Sequence, residues 1–89
     1  MNYTAGELYE QIRCRLGLNI SDRTIREWRR KAFIEQKRLY SEADIEQICR
    51  FAILSRRTRS HKLAQQFLLE EINNVYAQRR VDVSVESVP

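Results

Sequence analysis

The residues best suited to chemistry in this chain are arginines. Arg23, Arg26 and Arg30 recur at the i, i+3, i+7 spacing that places side chains on one face of a helix. Arg29 and Lys31 extend the same stretch. A guanidinium is a planar fork of donors that matches phosphate oxygens and the acceptor edge of guanine. A row of such groups on one helical face is a surface for duplex DNA. From residue 21 to residue 40, seven bases stand against three acids. A second basic run, Arg56, Arg57, Arg59 and Lys62, contains no acid. The bland alternative for any charge run is a solvated face, here one paired with Glu27. Arginine content and the position just after a helix cap favour the nucleic-acid reading.

Other reactive side chains do not assemble. His61 is the single histidine, so no nucleophile, base and orienting acid come together as a set. It is expected at an exposed helix start, with phosphate contact as the alternative. Glu70 and Glu71 are adjacent and leave a helix in different directions, so they do not form a carboxylate pair. No glycine-rich phosphate loop and no metal-ligand spacing occurs. Cys14 and Cys49 are far apart within helical patterns and read as free thiols in a reducing compartment. The expectation is a non-enzyme with no cofactor and no metal. It is expected in the cytoplasm, without a membrane span, a signal peptide or a small-molecule effector domain.

Elements that would position the arginines are legible from caps and periodicity. The chain has 89 residues, 43% of them apolar, with two glycines and one proline. So few turn formers exclude a fold built from many strands. Thr4 and Glu7 have capping-box spacing, and a first helix follows with Leu8, Tyr9, Ile12 and Leu16 on one face. Gly17 ends it. Ser21 caps a second helix running to about Ala32, with Ile25, Trp28 and Ala32 inward. Trp28 is assigned to the core rather than to base stacking. The segment from residue 33 to residue 40 reads as a short hairpin or extended loop. Ser41 caps a third helix, with a stripe of Ile45, Ile48, Cys49, Ala52 and Ile53. Arg56 to Arg59 interrupts it, and Ser60 caps a fourth helix over residues 61–80. Residues 81–89 read as a flexible tail.

Three segments, in order, resemble the MerR-like winged helix-turn-helix family. They are Tyr3-Thr4-Ala5-Gly6-Glu7-Leu8, then Ser21-Asp22-Arg23-Thr24-Ile25-Arg26, then Arg38-Leu39-Tyr40-Ser41-Glu42-Ala43-Asp44-Ile45. The resemblance covers residues 3–53. It implies a mainly α, winged helix-turn-helix fold with a short β-hairpin wing and a long C-terminal helix. It also implies a homodimer that binds double-stranded DNA and regulates transcription. Arg23, Thr24 and Arg26 would lie at the major groove. Arg38 and Tyr40 would come from the wing and touch the backbone or minor groove. The glycine that the family places near the end of the second helix is Ala32 here.

Together these readings divide the chain into a DNA-binding domain over residues 1–58, a dimerisation helix over 59–80 and the tail. Ser21, Arg23, Thr24, Arg26, Arg29, Arg30, Lys37, Arg38, Tyr40, Arg56, Arg57 and Arg59 are the expected DNA contacts. Phe67, Leu68, Ile72 and Val75 are the expected dimer contacts. The expected function is sequence-specific regulation, as a repressor. The alternatives are a helical protein-interaction adaptor and an architectural DNA-binding factor of a mobile element.

Overall fold

The computed structural model describes the backbone of residues 2–87 and the side chains of residues 2–74. Four helices, α1 (Ala5–Leu16), α2 (Asp22–Lys31), α3 (Glu42–Thr58) and α4 (His61–Ser87), accompany two short strands, β1 (Asn2–Tyr3) and β2 (Tyr40–Ser41). The fold is therefore mainly α, with a small antiparallel sheet.

Each cap expected from sequence forms. The Thr4 hydroxyl accepts from the Glu7 backbone N–H, and the Glu7 carboxylate accepts from the Thr4 N–H. The Thr4 N–H, and then the Thr4 hydroxyl, hold the Glu7 carboxyl below the usual carboxylate range. Ser21 accepts from the Thr24 N–H at 3.3 Å, and Ser41 forms a second capping box with Asp44. Ser60 accepts from the Leu63 N–H at 3.2 Å and opens α4. These bonds satisfy donors that have no partner inside the helix.

Gly17 ends α1 in the left-handed conformation, φ 65°, with its N–H donated to the Arg13 carbonyl. Nothing lies within 4 Å of where a Cβ would stand, so an added methyl meets only its own backbone. Gly17→Ala is expected to cost about 1 kcal/mol, the penalty for a side chain in that conformation. Urea denaturation of the two proteins measures it, and equal midpoints would contradict it.

The link from α1 to α2 is held by one side chain. Arg13 donates to the Ile20 carbonyl at 2.8 Å, to Asp22 at 2.8 Å and to Glu10 at 2.9 Å. The Asp22 and Glu10 bonds raise the Arg13 pKa. Arg13 thus sets where α2 begins relative to α1.

The strands are not the hairpin expected within residues 33–40. Tyr40 pairs with Tyr3 and Ser41 with Asn2, so β2 closes against the chain's beginning. The reason is the Tyr3–Glu42–Arg15 cluster. Tyr3 Oη donates to Glu42 at 2.8 Å, and Arg15 Nη2 pairs with the same carboxylate. Glu42, in the first turn of α3, is held below the usual range by Arg15 and then by Tyr3. This arrangement docks the N-terminus on α3 and leaves residues 34–39 as an irregular connection that bends at residues 38 and 39.

Helix α3 is the centre of the fold, packed by α1, α2 and α4. Leu8, Ile12, Ile25, Ala32, Ile34, Tyr40, Ile45, Ile48, Phe51, Leu54, Ala64 and Leu68 form the core. The stripe read from sequence is corrected at two places on α3. Phe51 is fully buried, and Ile53 is 37% exposed. A helix covered from several sides buries an arc wider than one stripe. Arg50 and Glu71 clamp α3 to α4 through a forked pair at 2.7–3.1 Å, which holds Glu71 below the usual carboxylate range.

Candidate nucleic-acid interface

The basic surface is built on α2, and its presentation starts with what fixes that helix at both ends. Its N-terminus is capped by Ser21 and tied to α1 through Arg13 and Asp22. Its C-terminal carbonyls are met by side chains from two other helices. Gln47 of α3 donates to the Ala32 carbonyl, and Gln65 of α4 donates to the Lys31 carbonyl at 3.1 Å. These amides satisfy acceptors left over at a helix end. On its inner face Ile25 and Ala32 are fully buried, and Trp28 packs half-buried on the core as expected.

The outward face then carries the arginines. Arg23, Arg26 and Arg30 are exposed, and none has an acidic or hydrogen-bonding partner among the described residues. Together with Arg29 and Glu27 they line one shallow depression. Arg29 is partly committed, because its Nη1 donates to the Ile34 carbonyl at 2.8 Å and steadies the chain leaving α2. Glu27 pairs with Lys31 at 3.3 Å, one turn on, rather than with the arginines. Lys31 Nζ also lies 2.7 Å from His61 Nδ1, and the His61 ring tilts against Phe51 at 5.6 Å. That joins α2 to the start of α4 and gives His61 a packing role. Thr24, on the first turn, shares a 2.9 Å hydroxyl contact with Ser21. The net result is a row of guanidinium groups without an ion pair among the described residues, on a helix whose ends do not depend on them.

Other residues assigned to DNA from sequence are placed differently. Tyr40 is 2% exposed, and its hydroxyl accepts from the Lys37 N–H at 3.1 Å. Its ring belongs to the core because β2 turns it inward, so it is removed from the expected contacts. Lys37 is paired with Asp44 at 3.1 Å. Burial pushes the Asp44 carboxyl up, but the Ser41 N–H and Lys37 outweigh it and hold it low. Arg38 is exposed at the bend of this connection. Arg56 and Arg57 are not in a linker. Both lie in the last turn of α3, where cations suit the helix dipole. Arg57 is not free of acids, since it shares a groove with Glu70 and Glu71. Only Arg59 stands in the turn, as the left-handed cap of α3 with φ 56°.

Among the expected dimer contacts, Leu68 is 2% exposed and packs inside its own chain, as does much of Ile72. The fold needs that face of α4 to cover α3, so Leu68 is withdrawn as a dimer contact. Phe67 is 43% exposed, with Leu63 at 43% one turn earlier. The Val75 side chain lies outside the described residues, as do the side chains of 81–89.

Sequence reasoning missed Arg13, Gln47 and Gln65, the residues that hold α2 in place. Nothing local marks them, because each acts on backbone far along the chain. Cys14 is exposed and Cys49 buried, both as free thiols, and burial raises the Cys49 thiol. Among the described residues no helix is long and apolar enough to cross a membrane, and no group of acids, cysteines and histidine has a metal-binding arrangement. Comparison with family models, with curated proteins and with solved structures finds no match to this chain.

Proposed function

We propose that this chain is a cytoplasmic, sequence-specific duplex-DNA-binding regulator of transcription, acting as a homodimeric repressor. One observation carries the reading. Arg23, Arg26 and Arg30 project from a short helix fixed at both ends, and among the described residues none of them is ion-paired, although Glu27 lines the same depression. Leaving three guanidinium groups unpaired on one face favours a polyanionic partner. The resemblance of three ordered segments to MerR-like winged helix-turn-helix proteins supports the same reading. Arg38, on the exposed connection, is then a phosphate contact flanking the helix. In this reading the second basic run, Arg56, Arg57 and Arg59, contributes long-range attraction rather than base recognition.

Selection of bound duplex from a random library, followed by titration at several salt concentrations, tests the proposal. A recovered sequence preference and an affinity that falls steeply with salt are expected. Salt-independent or absent duplex binding would overturn it.

A second reading, a helical adaptor, is favoured by the exposed Leu63, Phe67 and Leu69 of α4. In the regulator Leu63 and Phe67, four residues apart on one face of α4, serve self-association. Sedimentation should show a dimer in the micromolar range, and Phe67→Asp should shift it to monomer. Removing half a phenylalanine from water contributes about 1 kcal/mol per subunit, and a buried carboxylate reverses that gain. A wild type that stays monomeric at high micromolar concentration rejects the dimer.

A further inference from the structure

A half-exposed aromatic residue stands at the end of the basic helix in a conformation that side chains avoid. Phe33 has φ 67°, the left-handed region, directly after Ala32. Its N–H donates to the Arg30 carbonyl at 3.2 Å, and the next N–H, from Ile34, donates to the Arg29 carbonyl at 3.1 Å. This double closure of a helix end ordinarily uses glycine at the left-handed position. A bulky residue there is an outlier. The fold gains little in return. The ring is 48% exposed and stands outside the core cluster, while the adjacent Ile34 is buried. Phe33 lines a surface groove with Arg29, Arg30, Ile34, Glu35 and Gln36. Arg29 and Arg30 also line the arginine depression, so ring and guanidinium groups form one continuous surface.

We infer that Phe33 is an apolar contact to duplex DNA at the edge of the arginine face, packing on a thymine methyl or a deoxyribose. The inference rests on the function proposed above. The flanking charge argues for DNA over an apolar protein partner. Two guanidinium groups against the one carboxylate of Glu35 line this groove, and an apolar ring beside them matches an apolar group bordered by phosphates. A strained residue whose strain serves no packing is a mark of a binding surface.

The test compares three variants in binding and in stability. Phe33→Gly relieves the backbone, Phe33→Ala keeps the strain, and both remove the ring. Phe33→Gly should fold more favourably than Phe33→Ala by about fivefold in the folding equilibrium. Both should bind the selected duplex roughly tenfold more weakly than wild type, because the ring's remaining exposed half is no longer buried there. Their salt dependence should match the wild type, since no phosphate contact is lost. Phe33→Trp should restore most of the affinity. Wild-type affinity in both Phe33→Gly and Phe33→Ala would overturn the inference while leaving the DNA-binding reading intact. An Arg26→Ala variant that loses affinity under the same conditions shows that the assay reports the arginine face. If the wild type fails to bind any duplex, the inference and the function fall together. If Phe33→Ala keeps DNA affinity but abolishes self-association, the ring belongs to a protein contact and the inference is wrong.

Discussion

Phe51→Ala should destabilise the protein by about 3–5 kcal/mol, the cost of emptying a fully enclosed aromatic site. Phe51 is 0% exposed on α3, and α1, α2 and α4 all pack against that helix. The His61 ring, tilted against it at 5.6 Å, loses its neighbour as well. Collapse around the gap is restricted because α3 is held by three other helices along its length. A domain of this size has only about 5–10 kcal/mol in total, so the variant should be partly unfolded near body temperature. Urea denaturation followed by circular dichroism measures the loss. Ile53→Ala, two positions on and 37% exposed, is the internal control and should cost under about 1 kcal/mol. Comparable losses at the two positions would mean that α3 is not buried as described.

Arg26→Ala should weaken binding to the selected duplex by roughly 1–3 kcal/mol, and weaken binding to random duplex much less. Arg26 lies near the middle of the outward face of α2, between Arg23 and Arg30, and is exposed without a partner among the described residues. Removing it creates no cavity and orphans no acid, so stability should stay within about 0.5 kcal/mol. That separation makes the measurement interpretable. Arg29→Ala is the contrasting case. It removes the 2.8 Å bond to the Ile34 carbonyl, so folding and binding should fall together. Titration of both variants against selected and random duplexes distinguishes the outcomes. Equal losses on both duplexes for Arg26→Ala would reduce it to a phosphate anchor. No loss on either would remove α2 from the interface.

What could be read in advance depended on how far along the chain each determinant acts. The helix starts at Thr4, Ser21 and Ser41 were legible because a cap acts on donors three residues away. Gly17 was legible for the same reason, since its left-handed turn closes onto Arg13, four residues back. The basic face of α2 followed from helical spacing alone, because side chains at i, i+3 and i+7 share a face whatever the helix packs against. The amino-acid sequence by itself therefore determined that this is a chain of capped helices with an arginine-rich second one.

The tertiary structure decided which faces those helices keep. Periodicity marked Leu68 and Phe67 alike as apolar, and only the docking of α4 on α3 buries the first and leaves the second exposed. Two-residue strands carry no periodic signal. Whether Tyr40 met solvent or core therefore rested on Tyr3 and Asn2 arriving from the far end of the chain. Arg57 looked free of acids along the sequence, yet α4 folds back and brings Glu70 and Glu71 to the same groove. The left-handed turn after α2 falls on Phe33 rather than on Ala32, and the carbonyls on either side of it, of Ala32 and Ile34, are taken by Gln47 and Arg29. Local rules act through backbone bonds a few residues long. Burial depends on contacts between segments far apart in sequence, and short-range patterns do not encode which segments will meet.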